Sequence, residues 1–170
     1  MSTTTLSINN AGMVLINVYV PMLLERLKLI TNNTFTAAEN REKAVLYLNY
    51  LVTGCQDADD HELSLNKILC GIAPDTVITQ TIEVTDQEEQ LMNGLLKTVI
   101  NYWPAIGSGS VEGLRGNWLI RNGMLTDKRE RWELTVEKRA YDILINRAPF
   151  SFSTIKFPWM IKPVYVEWNY

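Results

Sequence analysis

The amino-acid sequence predicts an α+β domain, in which an N-terminal bundle of about five helices packs with a small antiparallel sheet formed by the C-terminal third. Up to about Trp103, apolar residues recur every three or four positions, the period of a helix with one buried stripe. Beyond Thr126 the period shortens to two, as in a half-buried strand. Gly54, Pro104, Gly107, Pro149, Pro158 and Pro163 fall at the boundaries this reading needs.

Residues 1–7, rich in Ser and Thr, are expected to be a flexible N-terminus ahead of a single domain over 8–170. From Ala11 the series Val14, Val18, Met22 runs beside Leu15, Tyr19, Leu23, Leu27. Pro21 lies inside this helical pattern and predicts a kink, or two abutting helices with Pro21 starting the second. Thr31-Asn32-Asn33 closes the element. Thr36-Ala37-Ala38-Glu39 fits a capping box, and Ala37, Ala44, Val45, Leu48, Leu51 and Val52 form the buried face of a helix that Gly54 ends. An acidic loop from Asp57 to Glu62 leads to a short helix near 64–72, with Ser64 as its cap.

Pro74 to Val84 reads as extended. A second capping box, Thr85-Asp86-Gln87-Glu88, opens a helix to about Trp103 whose broad apolar arc marks it as central and largely buried. Pro104 stops it, and Gly107-Ser108-Gly109-Ser110 turns the chain. Residues 111–121 give a further short helix with Leu114, Trp118 and Leu119 inward and Asn122-Gly123 as its C-cap. Trp132, Leu134 and Val136 then alternate with polar residues, as do Tyr141, Ile143 and Ile145, which predicts a hairpin through Lys138-Arg139-Ala140. Phe152–Phe157 and Val164–Trp168 are extended runs, and their flanking prolines predict short or edge strands.

Composition narrows the function. The chain has 170 residues, 46% of them apolar, with a net charge of −3, which suits one ordinary globular domain and excludes disorder over most of its length. A charge of +1 over residues 1–35, −7 over 36–103 and +3 over 104–170 leaves an acidic middle and a basic end that pair within one molecule, pair between copies, or form two solvated faces. Nothing in this balance attracts nucleic acid. No apolar run approaches the ~20 residues of a membrane helix. Met1-Ser2-Thr3-Thr4-Thr5 lacks the basic and apolar regions of a signal peptide, so a cytoplasmic location is expected.

Cys55 and Cys70 have no metal-type pairing, and His61 is the single histidine. No metal or cofactor is therefore expected, and Cys70, within an apolar helical stretch, is expected to be a buried, inert thiol rather than a nucleophile. No serine–histidine–aspartate set, phosphate-binding loop or glycine fingerprint is visible, so no enzyme is expected.

Several strings carry a family resemblance. They are Ile8-Asn9-Asn10-Ala11-Gly12-Met13-Val14-Leu15, Pro21-Met22-Leu23-Leu24-Glu25-Arg26-Leu27, Leu65-Asn66-Lys67-Ile68-Leu69-Cys70-Gly71 and Gly113-Leu114-Arg115. The closing strings are Tyr141-Asp142-Ile143-Leu144, Arg147-Ala148-Pro149-Phe150-Ser151, Ile155-Lys156-Phe157-Pro158-Trp159-Met160 and Val164-Tyr165-Val166-Glu167-Trp168. In order and spacing, over about residues 8–168, they resemble the contractile injection system tape measure protein family of bacterial phage-tail-like particles. Phe150 stands where tryptophan is usual, and Gly116-Asn117-Trp118 departs from a more common acidic residue and phenylalanine; both changes keep aromatic bulk.

The resemblance implies a non-enzymatic structural or assembly protein with inner tube, baseplate or spike subunits as partners, self-association being possible within the same role. Members are usually longer, with this domain towards the C-terminus. One helix of this length would reach about 255 Å, whereas a folded domain of this size has a radius of gyration of ~15 Å. The expected role is thus docking, as the end of a longer ruler or as a short member, and not measurement by extension. A generic protein-binding adaptor or assembly chaperone is the alternative. For the aromatic tail, the candidate interface residues are Phe150, Phe157, Trp159, Met160, Tyr165 and Trp168, weighed against plain core packing. Arg115, Arg121 and Arg147 either pair with acids inside the fold or face a partner.

Overall fold

A computed structural model describes residues 4–107 and 109–169. Met1–Thr3 of the expected flexible segment, Ser108 of the glycine turn and Tyr170 of the aromatic tail lie outside the described residues. Helices and strands are mixed as expected, but their order differs. Thr5–Ile8 is a strand, β1, which places a strand ahead of every helix.

Ala11–Tyr19 winds as a 3₁₀-helix and abuts helix α1, Val20–Arg26, with Pro21 in its first turn. At its last turn the tight winding has a local cause. Pro21 has no N–H to offer Asn17 O four residues back, so the Val20 N–H reaches it at three. Residues Ala11–Asn17 are buried on all sides, a central rod rather than an amphipathic helix. Ile30–Thr31 (β2) and Thr34–Phe35 (β3) form a two-stranded hairpin where the sequence pattern predicts only the close of a helix. Both central residues, Asn32 and Asn33, have positive φ (52° and 63°), the conformation asparagine tolerates best after glycine.

Helix α2 spans Ala38–Thr53 and ends on Gly54 in the left-handed region, as predicted. The Thr36–Glu39 capping box does not form. Thr36 is engaged by the hairpin, bonding Leu29 O and accepting from Asn40 Nδ2 at 2.7 Å, so the helix starts a residue later with Ala37 as cap. Helix α3 is Ser64–Leu69, preceded by a 3₁₀ turn at Asp60–Leu63. Where an extended run was expected, Pro74–Asp75 form a turn and residues 76–84 join no helix or sheet. Side chains satisfy their amides instead: Asp60 accepts from Ile78 N, and Glu42 accepts from Thr79 N and Gln80 N. Helix α4, Asp86–Tyr102, carries the predicted capping box with both bonds made, at 3.0 and 3.1 Å. Helix α5, Val111–Leu114, runs into a widened turn over Arg115–Leu119.

The predicted hairpin partner was wrong. Strand β5, Trp132–Val136, pairs with β4, Gly123–Asp127, before it in the chain; Gly123 opens that strand and does not cap a helix. Residues Asp142–Arg147 form a 3₁₀-helix and not a strand. Lys138-Arg139-Ala140 lacks the Gly, Asn or Asp a tight hairpin needs, whereas the β4–β5 turn places Arg129 at φ 70° and holds its N–H on Asp127 Oδ1. With β6 (Thr154–Ile155) and β7 (Val164–Glu167) the sheet runs β1-β4-β5-β7-β6. It is not wholly antiparallel, since β5 and β7 run parallel, and β7 is an inner strand. Pro163 lies just outside β7, so it removes no ladder bond. The central rod, Ala11–Tyr19, lies against β5 and the Arg115–Leu119 turn, and the buried apolar residues form one cluster.

Candidate protein interface

The aromatic tail divides sharply between interior and surface. Phe150, Phe157, Trp159, Met160 and Trp168 are buried, and only Tyr165 is exposed, at 45%. In the free chain the five buried side chains therefore serve the core, and Tyr165 alone of the six offers ring surface to a partner.

Two aromatic assemblies account for the buried five. In the first, Phe150 meets Tyr19 and Trp103 edge-on, Trp103 packs on Trp118 at 4.6 Å, and Trp118 meets Tyr141 at 5.0 Å. This assembly surrounds an ion pair with no exposure on either side: Arg121 Nη1 donates to Asp142 Oδ2 at 2.7 Å. The same oxygen accepts from Trp168 Nε1 and Arg139 N, each at 2.9 Å. The guanidinium also donates to Glu137 O and Asn117 O and lies 5.1 Å from the Trp168 ring. Burial pushes the Asp142 carboxyl up, but these donors and the Arg121 charge outweigh it and hold it below the usual carboxylate range.

In the second assembly, Trp159 stands edge-on to Phe35 at 5.5 Å and beside Phe157 at 5.3 Å, and its Nε1 donates to Leu69 O at 2.8 Å. Met160 Sδ accepts from Phe157 N at 3.1 Å. Arg41 Nη1 donates towards Cys70 O, Gly71 O and Trp159 O, while its guanidinium covers the Phe35 ring at 4.8 Å. Gly71 (φ 77°) permits this contact, because a Cβ there would stand 2.3 Å from Trp159 O.

Other sequence candidates fall as follows. Arg115 donates to Leu51 O and Tyr50 O at the end of α2, Arg121 is the buried cation just described, and Arg147 is exposed. Cys70 is buried, and burial pushes its thiol up; Cys55 is exposed. Asp59, His61 and Glu62 bring one ligand atom each within 4.8 Å of one another, a juxtaposition the sequence reading did not foresee. They are surface side chains numbering three, short of the four ligands of a closed structural zinc site.

Three surface features remain for a partner. The outer face of the sheet presents Met124 and Tyr165, with Arg131 5.2 Å from the Tyr165 ring and paired to Glu133 at 2.7 Å. A groove of about 470 Å³ between α1 and α4 is lined by Tyr19, Met22, Arg26, Leu91 and Gly94, with exposed Val18 at the end of the rod and exposed Tyr102 at the end of α4. The third is the free edge of β1. Sequence reasoning named Tyr165 but missed Met124 beside it, the groove and the edge, because each depends on which strand lies at an edge and which helix leaves a side uncovered. No helix among the described residues is long and apolar enough to cross a membrane.

A family model described as contractile injection system tape measure protein matches residues 1–168. No curated protein matches the chain, and no solved structure does.

Proposed function

The chain belongs to the contractile injection system tape measure protein family, and we propose that it acts there as a non-enzymatic docking body, holding tube, baseplate or spike subunits during inner-tube assembly or length control. The observation that carries this reading is the single hydrophobic cluster running from Ile8 to Trp168. It ties residues 8 to 168 into one folded body, for which a radius of gyration of about 15 Å is expected. Such a body attaches; it does not span. Its outward apolar side chains, Met22, Tyr102, Met124 and Tyr165 among them, are spread over separate faces, which suits contacts with more than one neighbour. Assembly in the cytoplasm and contacts between copies belong to the same proposal.

The test is deletion of the gene in its own host, with particles imaged and purified particles analysed by mass spectrometry. Lost particles or tubes of altered length, with the wild-type chain present in purified particles, are the expected result. Particles of unchanged number and length would overturn the reading. A chain needed for assembly yet absent from the finished particle would transfer the role to a chaperone.

A further inference from the structure

β1 is the outermost strand of the five-stranded sheet. Its register with β4 pairs Thr5 with Thr126, Leu6 with Leu125 and Ser7 with Met124, and Thr4 O accepts from Asp127 N. In an antiparallel ladder, opposed residues alternate between bonded and unbonded pairs, so the bonded positions are Thr4, Leu6 and Ile8. The N–H and C=O groups of Thr5 and Ser7 therefore point away from the sheet, and none has a hydrogen-bond partner among the described residues. Four backbone groups at a regular spacing stand ready for another strand.

This edge borders a groove of about 870 Å³, whose far wall carries Asp59, His61, Pro74 and Asp75. Asp60, also in that wall, is already bonded to Lys67 at 2.6 Å. Asp59 and Asp75 are exposed, and neither is in an ion pair among the described residues. Along β1, Leu6 is half-buried on the core side, while Thr5 and Ser7 face out. The opposite edge of the sheet, β6, has two residues, too short to template a partner.

We infer that β1 is a docking edge for an extended basic segment of a partner protein, which adds as a sixth strand and sets lysine or arginine against Asp59 and Asp75. Main-chain bonds supply the attachment and the wall supplies the preference for charge. A second copy of this chain fits less well. Pairing β1 with its own copy brings two sets of Asp59 and Asp75 to one seam, where they repel. The inference stands on edge geometry and wall charge, and it is independent of the particle role proposed above.

The experiment uses the full chain and a fluorescently labelled seven-residue peptide of alternating valine and lysine, with binding read by anisotropy. The peptide is expected to bind, and two control peptides to bind at least tenfold more weakly: one with glutamate for lysine, the other N-methylated at every amide. Asp59→Asn with Asp75→Asn is expected to weaken binding severalfold and to reduce its salt dependence. Ser7→Pro, which removes an outward N–H and no bond to β4, is expected to abolish it, with a thermal melt reporting whether that variant folds. Because the N-methylated control leaves the protein untouched, the test holds even if Ser7→Pro does not fold. Absence of binding, equal binding of the lysine and N-methylated peptides, or a concentration-dependent dimer that excludes the peptide would each overturn the inference.

Discussion

The indole N–H of Trp159 donates to the carbonyl oxygen of Leu69 at 2.8 Å, across 90 positions of chain. It joins the Leu65–Gly71 string to the Phe157–Met160 string, the two most distinctive stretches of the sequence. The Leu69 carbonyl belongs to the last turn of α3, where helix carbonyls lack intrahelical partners, so the indole acts as a cap from afar. Trp159→Phe keeps the ring stacking and removes the donor, and is expected to cost about 1–3 kcal/mol for the orphaned carbonyl. Trp159→Ala is expected to cost about 3–5 kcal/mol. Urea unfolding checks both; an unchanged midpoint for Trp159→Ala would return the residue to the surface.

Glycines separate close approach from open space. Gly71→Ala meets Trp159 O at 2.3 Å and a φ of 77°, so it is expected to destabilise by more than 1 kcal/mol. Gly94, inside α4, has nothing within 4 Å of where a methyl group would stand, so Gly94→Ala is expected to stabilise by about 0.5–1 kcal/mol. The opposite signs are measured in one series of thermal melts.

Acid should weaken the fold through Asp142. Its folded carboxyl titrates below its unfolded value, so its contribution is complete above about pH 4 and is lost as pH falls from there through the folded value. Asp142→Asn leaves the buried Arg121 charge without its counterion, and is expected to cost about 3–5 kcal/mol at neutral pH. The variant should also show a shallower loss of stability on acidification than the parent. Unfolding free energies measured from pH 7 down to pH 3 test both statements.

Local signals were legible wherever the local bond was the one that formed. Thr85–Glu88 caps α4 because one Glu88 oxygen stays on Thr85 N while Tyr47 takes only the other, whereas Thr36 loses its cap to the β2–β3 hairpin, a contact outside the window of any periodicity. The alternation of Tyr141, Ile143 and Ile145 was a false strand. Asp142 and Ile145 are buried three residues apart on one face of a 3₁₀-helix, and a buried aspartate is foreseeable only once Arg121 is known to await it. For the candidate site, aromatic content signalled importance without side. The tail is rich in rings because two assemblies close the core there, and of the six candidate residues only Tyr165, on the outer phase of β7, escapes them. Strand order, with β1 beside β4, leaves no trace in composition, and it decides which edge is free.

The two cysteines should differ in reactivity by state. Cys55 is exposed, while Cys70 is fully buried with its thiol pushed up by burial, which suppresses the reactive thiolate. With a disulfide reagent at pH 8, one equivalent is expected to react rapidly in the folded chain and a second only in denaturant. Rapid release of two equivalents from the native chain would place Cys70 at the surface.

Tyr165 is where docking and stability are expected to part. Its ring lies on the outer sheet face, 45% exposed and flanked by Arg131, so its removal opens no cavity in the core. Tyr165→Ala is expected to change stability by no more than about 1 kcal/mol, the scale of an exposed cation–π contact. If this face meets a subunit of the particle, the same substitution should remove a ring of the kind that dominates interface energies, at about 2 kcal/mol or more of binding. Affinity purification of tagged parent and variant from the host then separates the two. Tube or baseplate subunits recovered with the parent and lost with a fully folded Tyr165→Ala assign the outer sheet face to docking. Equal recovery with both moves the contact elsewhere, to the α1–α4 groove or the β1 edge.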